Sequence, residues 1–157
     1  MLTKQIVIFK LCNQEYGIDI MKVLEISSYE PVRQVPDVPK YIEGIINVRG
    51  TIYPILNLRE KLHLAPHPKV EESKFILMNL ESSKVGFMVD NVCEILSIAQ
   101  EEVEMTPQML RKYESKYIEG VIKKGERIIL ILDVDLLLND QEEKAKTTTD
   151  KALLEGK

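Results

Sequence analysis

The tetrapeptide Tyr-Ile-Glu-Gly occurs at 41–44 and again at 117–120, and the likeness continues beyond it. Residues 41–62 read YIEGIINVRGTIYPILNLREKL and residues 117–138 read YIEGVIKKGERIILILDVDLLL, aligned without a gap at a spacing of 76 (41 to 117). Ile46 matches Ile122, Ile52 matches Ile128, Ile55 matches Ile131, Leu56 matches Leu132 and Leu62 matches Leu138. The turn between, 47–51, diverges. Shared apolar positions around a divergent turn are what two copies of one hairpin leave behind. A fainter echo lies upstream, where YGIDIMKVLEI at 16–26 aligns with VGFMVDNVCEI at 85–95 at a spacing of 69 (16 to 85). It pairs Gly17 with Gly86, Val23 with Val92, Glu25 with Glu94 and Ile26 with Ile95. The chain reads as a duplicated unit, about 4–64 and 74–138, and two copies are too few for a solenoid.

Each copy is rich in short β-type runs. In the first, 4–12, 15–20, 22–28, 44–48 and 51–57 carry the β-branched and aromatic content of strands. In the second, 74–80, 84–90, 92–98, 118–123 and 127–132 do the same. Arg49-Gly50 and Lys124-Gly125 are hairpin turns, and the prolines at 31, 36 and 39 make 29–40 irregular. Pro54 cannot donate to a ladder, so its strand is expected to be an edge or to bulge there. Five short strands per half curl most readily into a small barrel, giving an all-β protein of two barrels with a seam between them. A seam of that kind is a natural partner-binding place. The tail, 141–157, is charged and Thr-rich and reads as helical or disordered.

Composition narrows the function. The net charge is −4, which opposes nucleic-acid binding. No apolar run approaches the roughly 18–20 residues of a membrane span, and the first residues show no signal-peptide pattern. Cys12 and Cys93 are the only cysteines and are expected as two free, buried thiols. His63 and His67 have helical ligand spacing, but Pro66 and Pro68 interrupt any helix there, so no metal or other cofactor is expected. No phosphate-binding loop, dinucleotide fingerprint or nucleophile elbow is present. Asp37, Asp90, Asp133 and Asp135 are scattered and suit turns and caps, and Glu101, Glu102 and Glu104 suit a solvated loop. No catalytic residues can be assembled.

What remains is paired and non-catalytic: Val23-x-Glu25-Ile26 and Val92-x-Glu94-Ile95. Two readings stand. In one, Val and Ile are core and Glu points to water. In the other, Val and Ile both face a partner, which requires a twist or bulge because residues three apart alternate on a strand.

These residues carry a resemblance. EYGIDIMKVLEI at 15–26, the 41–62 stretch with its G-x-x-N-x-R-G run at Gly44–Gly50, KVGFMVDNVCEIL at 84–96 and YIEGVI at 117–122 resemble the CheW family of chemotaxis coupling proteins. The resemblance covers about 4–140, and a CheW-like domain is expected over 1–140. Asn57 departs from the family's usual Asp. The resemblance implies two intertwined five-stranded barrels of the Src-homology-3 type, with cores inside and between them and short helical turns. It implies a cytoplasmic, non-enzymatic adaptor recruited to membrane-bound receptor arrays, without inserting into the membrane itself. The implied partners are the tips of methyl-accepting chemotaxis receptors and the regulatory domain of the histidine kinase CheA. Carried over by position, the receptor-facing residues are Val23, Glu25, Ile26, Arg49, Val92 and Ile95. The kinase-binding residues are not assigned. Glu25 and Arg49 are expected to form an ion pair; the place of Arg49 in the second copy is taken by Gly125, so Glu94 is expected to lack the same pair. A nucleic-acid-binding barrel and an enzyme using the seam are the competing classes; charge opposes the first and the missing constellation the second.

Overall fold

The computed structural model describes residues 3–81, 83–106 and 114–138. The expected tail and most of the 107–116 piece therefore lie outside the described residues. Eleven strands are described: β1 (Thr3–Leu11), β2 (Gln14–Asp19), β3 (Val23–Ser28), β4 (Ile42–Val48), β5 (Thr51–Asn57), β6 (Lys74–Leu80), β7 (Ser83–Val89), β8 (Asn91–Ala99), β9 (Val103–Met105), β10 (Ile118–Lys124) and β11 (Arg127–Leu132). A short helix, α1 (Leu58–Lys61), follows β5, and 134–138 are helical after β11. Asn57 caps α1 by accepting from the Glu60 amide, and Asp133 accepts from the Leu136 amide in the same way.

The strands form a six-stranded sheet, β8-β1-β2-β11-β10-β9, and a five-stranded sheet, β3-β6-β7-β5-β4. The halves are crossed. The five-stranded sheet takes β3, β4 and β5 from the first half but β6 and β7 from the second. The six-stranded sheet takes β1 and β2 from the first half and the rest from the second. A half folding into its own barrel, the simplest reading of the repeat, is thus replaced by an exchange of the equivalent hairpins β1–β2 and β6–β7. The exchange joins β2 to β11 and β7 to β5 in parallel.

Each sheet has its own core, and a third core lies between them. Ile6, Ile8, Ile98, Ile122, Ile129 and Ile131 cluster within the six-strand barrel. Ile46, Tyr53, Ile55, Phe75, Leu77 and Met88 cluster within the five-strand barrel. The central cluster takes Val7, Phe9 and Leu11 from β1, Ile76 and Met78 from β6, and Val85, Phe87 and Val89 from β7. Strands β1 and β6 are therefore apolar on both faces, one toward a barrel and one toward the centre, which explains the unbroken runs IVIF and FILM.

The repeated tetrapeptide has the same work in both copies. The carbonyls of Tyr41 and Tyr117 accept from the amides of Asn57 and Asp133, at 2.7 and 2.8 Å. Both rings lie against the buried ammonium of Lys61, 4.4 and 5.3 Å from their centroids. Register slips between Ile42 and Gly44 on β4 and between Ile118 and Gly120 on β10. A Cβ on Gly44 would lie 2.0 Å from the Arg33 carbonyl oxygen at φ +145°, and one on Gly120 would lie 2.5 Å from Val103.

Three details correct the sequence reading. Strand β5 is interior, not an edge. Ile45 exchanges its backbone bonds with Arg33, so opposite it Pro54 faces β4 without a hydrogen bond, and the pairing with β7 begins only at Ile55. Residues 103–105 form β9 against β10 instead of a solvated loop. Cys12 and Cys93 are free but exposed, Cys12 in the β1–β2 turn at φ +51° and Cys93 at an irregularity of β8.

Candidate functional site

Strands β3 and β8 occupy equivalent places in the repeat, and each is the edge of its sheet. Each bulges at the same position. Val23 pairs with Met78 and Glu25 with Leu77, leaving Leu24 as the extra residue; Val92 pairs with Phe9 and Glu94 with Ile8, leaving Cys93 extra. The bulge returns the residue three positions on to the face of the first. Ile26 consequently lies opposite Ile76, and Ile95 opposite Val7. All four partners, Met78, Ile76, Phe9 and Val7, belong to the central core. Val23, Ile26, Val92 and Ile95 thus extend the inter-barrel faces of both sheets to their margins. Val23 and Val92 are half-buried against that core, while Ile26 and Ile95 remain 42% and 54% exposed.

Charge borders each row. The Arg49 guanidinium, in the β4–β5 turn at φ +49°, bonds the Glu25 carboxylate. The turn is held by the Gly50 amide donating to Asn47 Oδ1 at 2.9 Å. The second half makes its own version with a different arginine. Arg127 on β11 reaches Glu94 at 3.2 Å while gripping Glu15 through two bonds of 3.0 and 2.7 Å. Gly125 offers no side chain, so the second half lacks the Glu25–Arg49 kind of pair, and Glu94 is met by Arg127 from β11. The Arg127 hydrogen bonds hold the Glu15 carboxyl below its ordinary value, and Glu15 and Glu94 hold the Arg127 guanidinium above its own.

Two further residues were not singled out together from the sequence. Arg59 of α1 makes bonds of 2.7 and 2.5 Å to Asp90, which also accepts from the Cys12 amide at 2.9 Å. Burial pushes the Asp90 carboxyl up, but its bonds from Arg59 and Cys12 and the guanidinium charge outweigh this and hold it below the ordinary value. Hydrogen bonding to Asp90 raises Arg59 correspondingly. Asp90 is thus a brace joining the two barrels, beyond the turn residue its position suggested. Among the described residues no group of three or more His, Cys, Asp or Glu is arranged to hold a metal ion, and no helix is long and apolar enough to cross a membrane.

The arrangement offers an apolar surface rimmed by fixed charges, suited to holding another protein. Comparison with known proteins identifies the family. Residues 5–142 match the model of the CheW-like domain. The chain is 36% identical to the chemotaxis protein CheW of Treponema pallidum over 142 residues, covering 88% of this chain and 84% of that one. It is 28% identical to the chemotaxis protein CheW of Bacillus subtilis, over 95% of each. The crystal structure of the scaffolding protein TtCheW from Thermoanaerobacter tengcongensis superposes with a TM-score of 0.79 at 31% identity, over 87% of this chain and 92% of that one. With the family model matching nearly the whole chain and the two-sheet architecture shared, the chain belongs to the CheW-like domain family.

Proposed function

We propose that this protein is a chemotaxis coupling scaffold that joins the cytoplasmic tips of methyl-accepting receptors to the regulatory domain of the kinase CheA. It is an adaptor and not an enzyme. One observation carries the receptor half of the reading: twin bulges leave Ile26 and Ile95 exposed on margins of the inter-barrel faces. An amphipathic helix binds by laying a periodic apolar stripe on such a surface. Glu25, Arg49, Val23 and Val92 complete the receptor-facing set. The family resemblance supports the kinase half, for which no residues are assigned. Recruitment to receptor arrays follows from the same contacts.

The test is a pair of titrations on wild type and Ile95→Glu, one with a receptor-tip helical fragment and one with the CheA regulatory domain. Loss of an apolar side chain at a binding centre costs about 1–3 kcal/mol, or roughly ten- to a hundredfold. That loss is expected with the receptor fragment and not with the kinase domain. Equal loss of both, with a lower melting temperature, would make Ile95 a packing residue and remove the site.

A further inference from the structure

Repeat-equivalent positions differ between the two barrels in one place that matters for binding. In the five-strand barrel the rings of Tyr29 and Phe75 meet at 5.7 Å and a 48° tilt and pack within that barrel's core. At the spacing of 69, their equivalents in the six-strand barrel are Ile98 and Ile6. On β4 of the same barrel, Glu43 accepts from Asn57 Nδ2 at 2.7 Å. At the spacing of 76, the equivalents are Glu119 and Asp133. Two rings have become two smaller side chains, and an amide donor has become a second carboxylate.

A cavity of about 560 Å³ lies at this place in the six-strand barrel, lined by Ile6, Ile98, Ile131, Val103, Lys4 and Glu119 among others. That volume is within the roughly 300–1,000 Å³ range of ligand sites. Ile6, Ile98 and Ile131 form a buried apolar wall. Glu119 stands exposed at the rim, and among the described residues no side chain donates to it. Burial beneath it and the neighbouring Asp133 raise its carboxyl above the ordinary value. Lys4 and Lys22 offset part of that rise through their charge but make their ion pairs elsewhere, Lys4 with Asp19 at 3.8 Å and Lys22 with Asp135 at 2.5 Å. Asp133 caps the 134–138 helix by accepting from the Leu136 amide, so Glu119 is the acceptor left beside the apolar hollow.

We propose that this cavity is a socket for an aromatic side chain bearing a hydrogen-bond donor, a tyrosine or tryptophan presented by a partner protein. The sister barrel supplies the argument for the ring, because it fills the equivalent place with its own Tyr29. The Glu119 carboxylate at the rim, to which no described side chain donates, supplies the argument for the donor. Phenolic O–H or indole N–H has an apolar body and one polar tip, and that division matches wall and rim. The inference is independent of the receptor-facing rows on β3 and β8.

The probe is p-cresol, the tyrosine side chain, with toluene as the donor-free control, titrated against the full chain by amide-resolved NMR. Saturable shifts are expected at Ile98, Val103 and Gly120, and none at Tyr29, Phe75 or Gly44. Grafting the sister residue, Ile98→Tyr, should abolish the shifts; if that variant fails to fold, Val103→Phe fills the hollow from its partly buried rim instead. Glu119→Ala should weaken p-cresol about two- to tenfold, the worth of one hydrogen bond, and leave toluene unchanged. Absence of saturable shifts, or equal shifts in both barrels, overturns the socket. Equal weakening of p-cresol and toluene by Glu119→Ala overturns the donor requirement. A small aromatic compound retained in the native mass spectrum of the purified chain overturns the assignment to a partner's side chain.

Discussion

Removing Asp90 should loosen the two barrels from one another. Its carboxylate joins α1, through Arg59, to the β1–β2 turn, through the Cys12 amide, and so ties an element of the five-strand barrel to one of the six-strand barrel. The side chains of Arg59 and Asp90 are only 11% and 16% exposed. Breaking a fully buried pair costs about 3–5 kcal/mol, because the surviving charge is left without a partner. Residual access to water reduces this, so Asp90→Ala should cost about 2–4 kcal/mol. For a chain of this size that lowers the melting temperature by about 5–15 °C. The control lies in the repeat itself. Asp135 holds the place of Arg59, and its bond to Lys22 is 62% exposed on the Asp135 side, so Asp135→Ala should change stability by only about 0–1 kcal/mol. Acid supplies a second check. The folded Asp90 carboxyl is held below its ordinary 3.8, so its stabilisation is complete above that value and is lost as pH falls through the lowered one. The gap between wild type and Asp90→Ala, read by thermal melts from pH 7 to pH 2, should therefore close in the acid range. A loss under about 2 °C at pH 7, or a gap undiminished at pH 2, would refute the brace.

Two other perturbations follow from the geometry. Arg49→Glu should impair assembly of a receptor–kinase complex with little change in melting temperature, and adding Glu25→Arg should recover part of it; normal assembly by Arg49→Glu alone would remove Arg49 from the site. Gly44→Ala should be far more damaging in a urea melt than Gly50→Ala, because a Cβ at Gly44 meets the Arg33 carbonyl oxygen at 2.0 Å whereas at Gly50 it meets nothing within 4 Å. Gly50→Ala pays only the left-handed strain of φ +86°, about 1–2 kcal/mol, and equal losses would sink the close-approach argument.

Much of this was legible in the chain because the repeat carried it. The matching glycines at 17 and 86 announce close approach: a Cβ there would lie 2.4 Å from Ile6 and 2.6 Å from Ile55. Residues three apart could share a face only with a bulge, and both β3 and β8 have one. The crossing of the hairpins was not legible from local pattern. β1–β2 and β6–β7 have equivalent alternation, so pattern cannot tell which copy completes which barrel. A signal existed in the runs IVIF and FILM, which have no polar face and therefore need cover on both sides. Arg127 escaped notice because it stands two residues past the position of Arg49, so aligning the copies offered Glu94 only a glycine. The exposure of Cys12 depends on a left-handed turn that composition does not reveal.

Charge, unlike apolar pattern, distinguishes the crossed arrangement from the uncrossed one. In the crossed fold β5 runs beside β7, bringing Arg59 to Asp90, and β11 runs beside β2, bringing Asp135 to Lys22 and Arg127 to Glu15. Keeping each hairpin with its own half would pair β5 with β2 and β11 with β7. Arg59 would then come to the Met21–Lys22 corner, where Lys22 stands one residue past the equivalent of Asp90; Asp135 would come to the Asp90–Asn91 corner, and Arg127 would face Lys84, which holds the place of Glu15 in the second copy. The Arg127 contact becomes a like-charge contact outright, and at the other two corners a like charge stands within one residue of the equivalent position. The copies have thus diverged at the positions where identity would leave the pairing ambiguous, and specificity gained by penalising the alternative needs no change in the cores. The consequence is measurable by exchanging charges. Lys22→Asp with Asp90→Arg puts like charges together in the crossed fold and should lower the melting temperature at least as far as Asp90→Ala. Adding Arg59→Asp and Asp135→Arg restores opposite charges across both contacts and should recover several degrees, despite two more substitutions. A fourfold variant no more stable than the twofold one would show that these charges do not select the crossing.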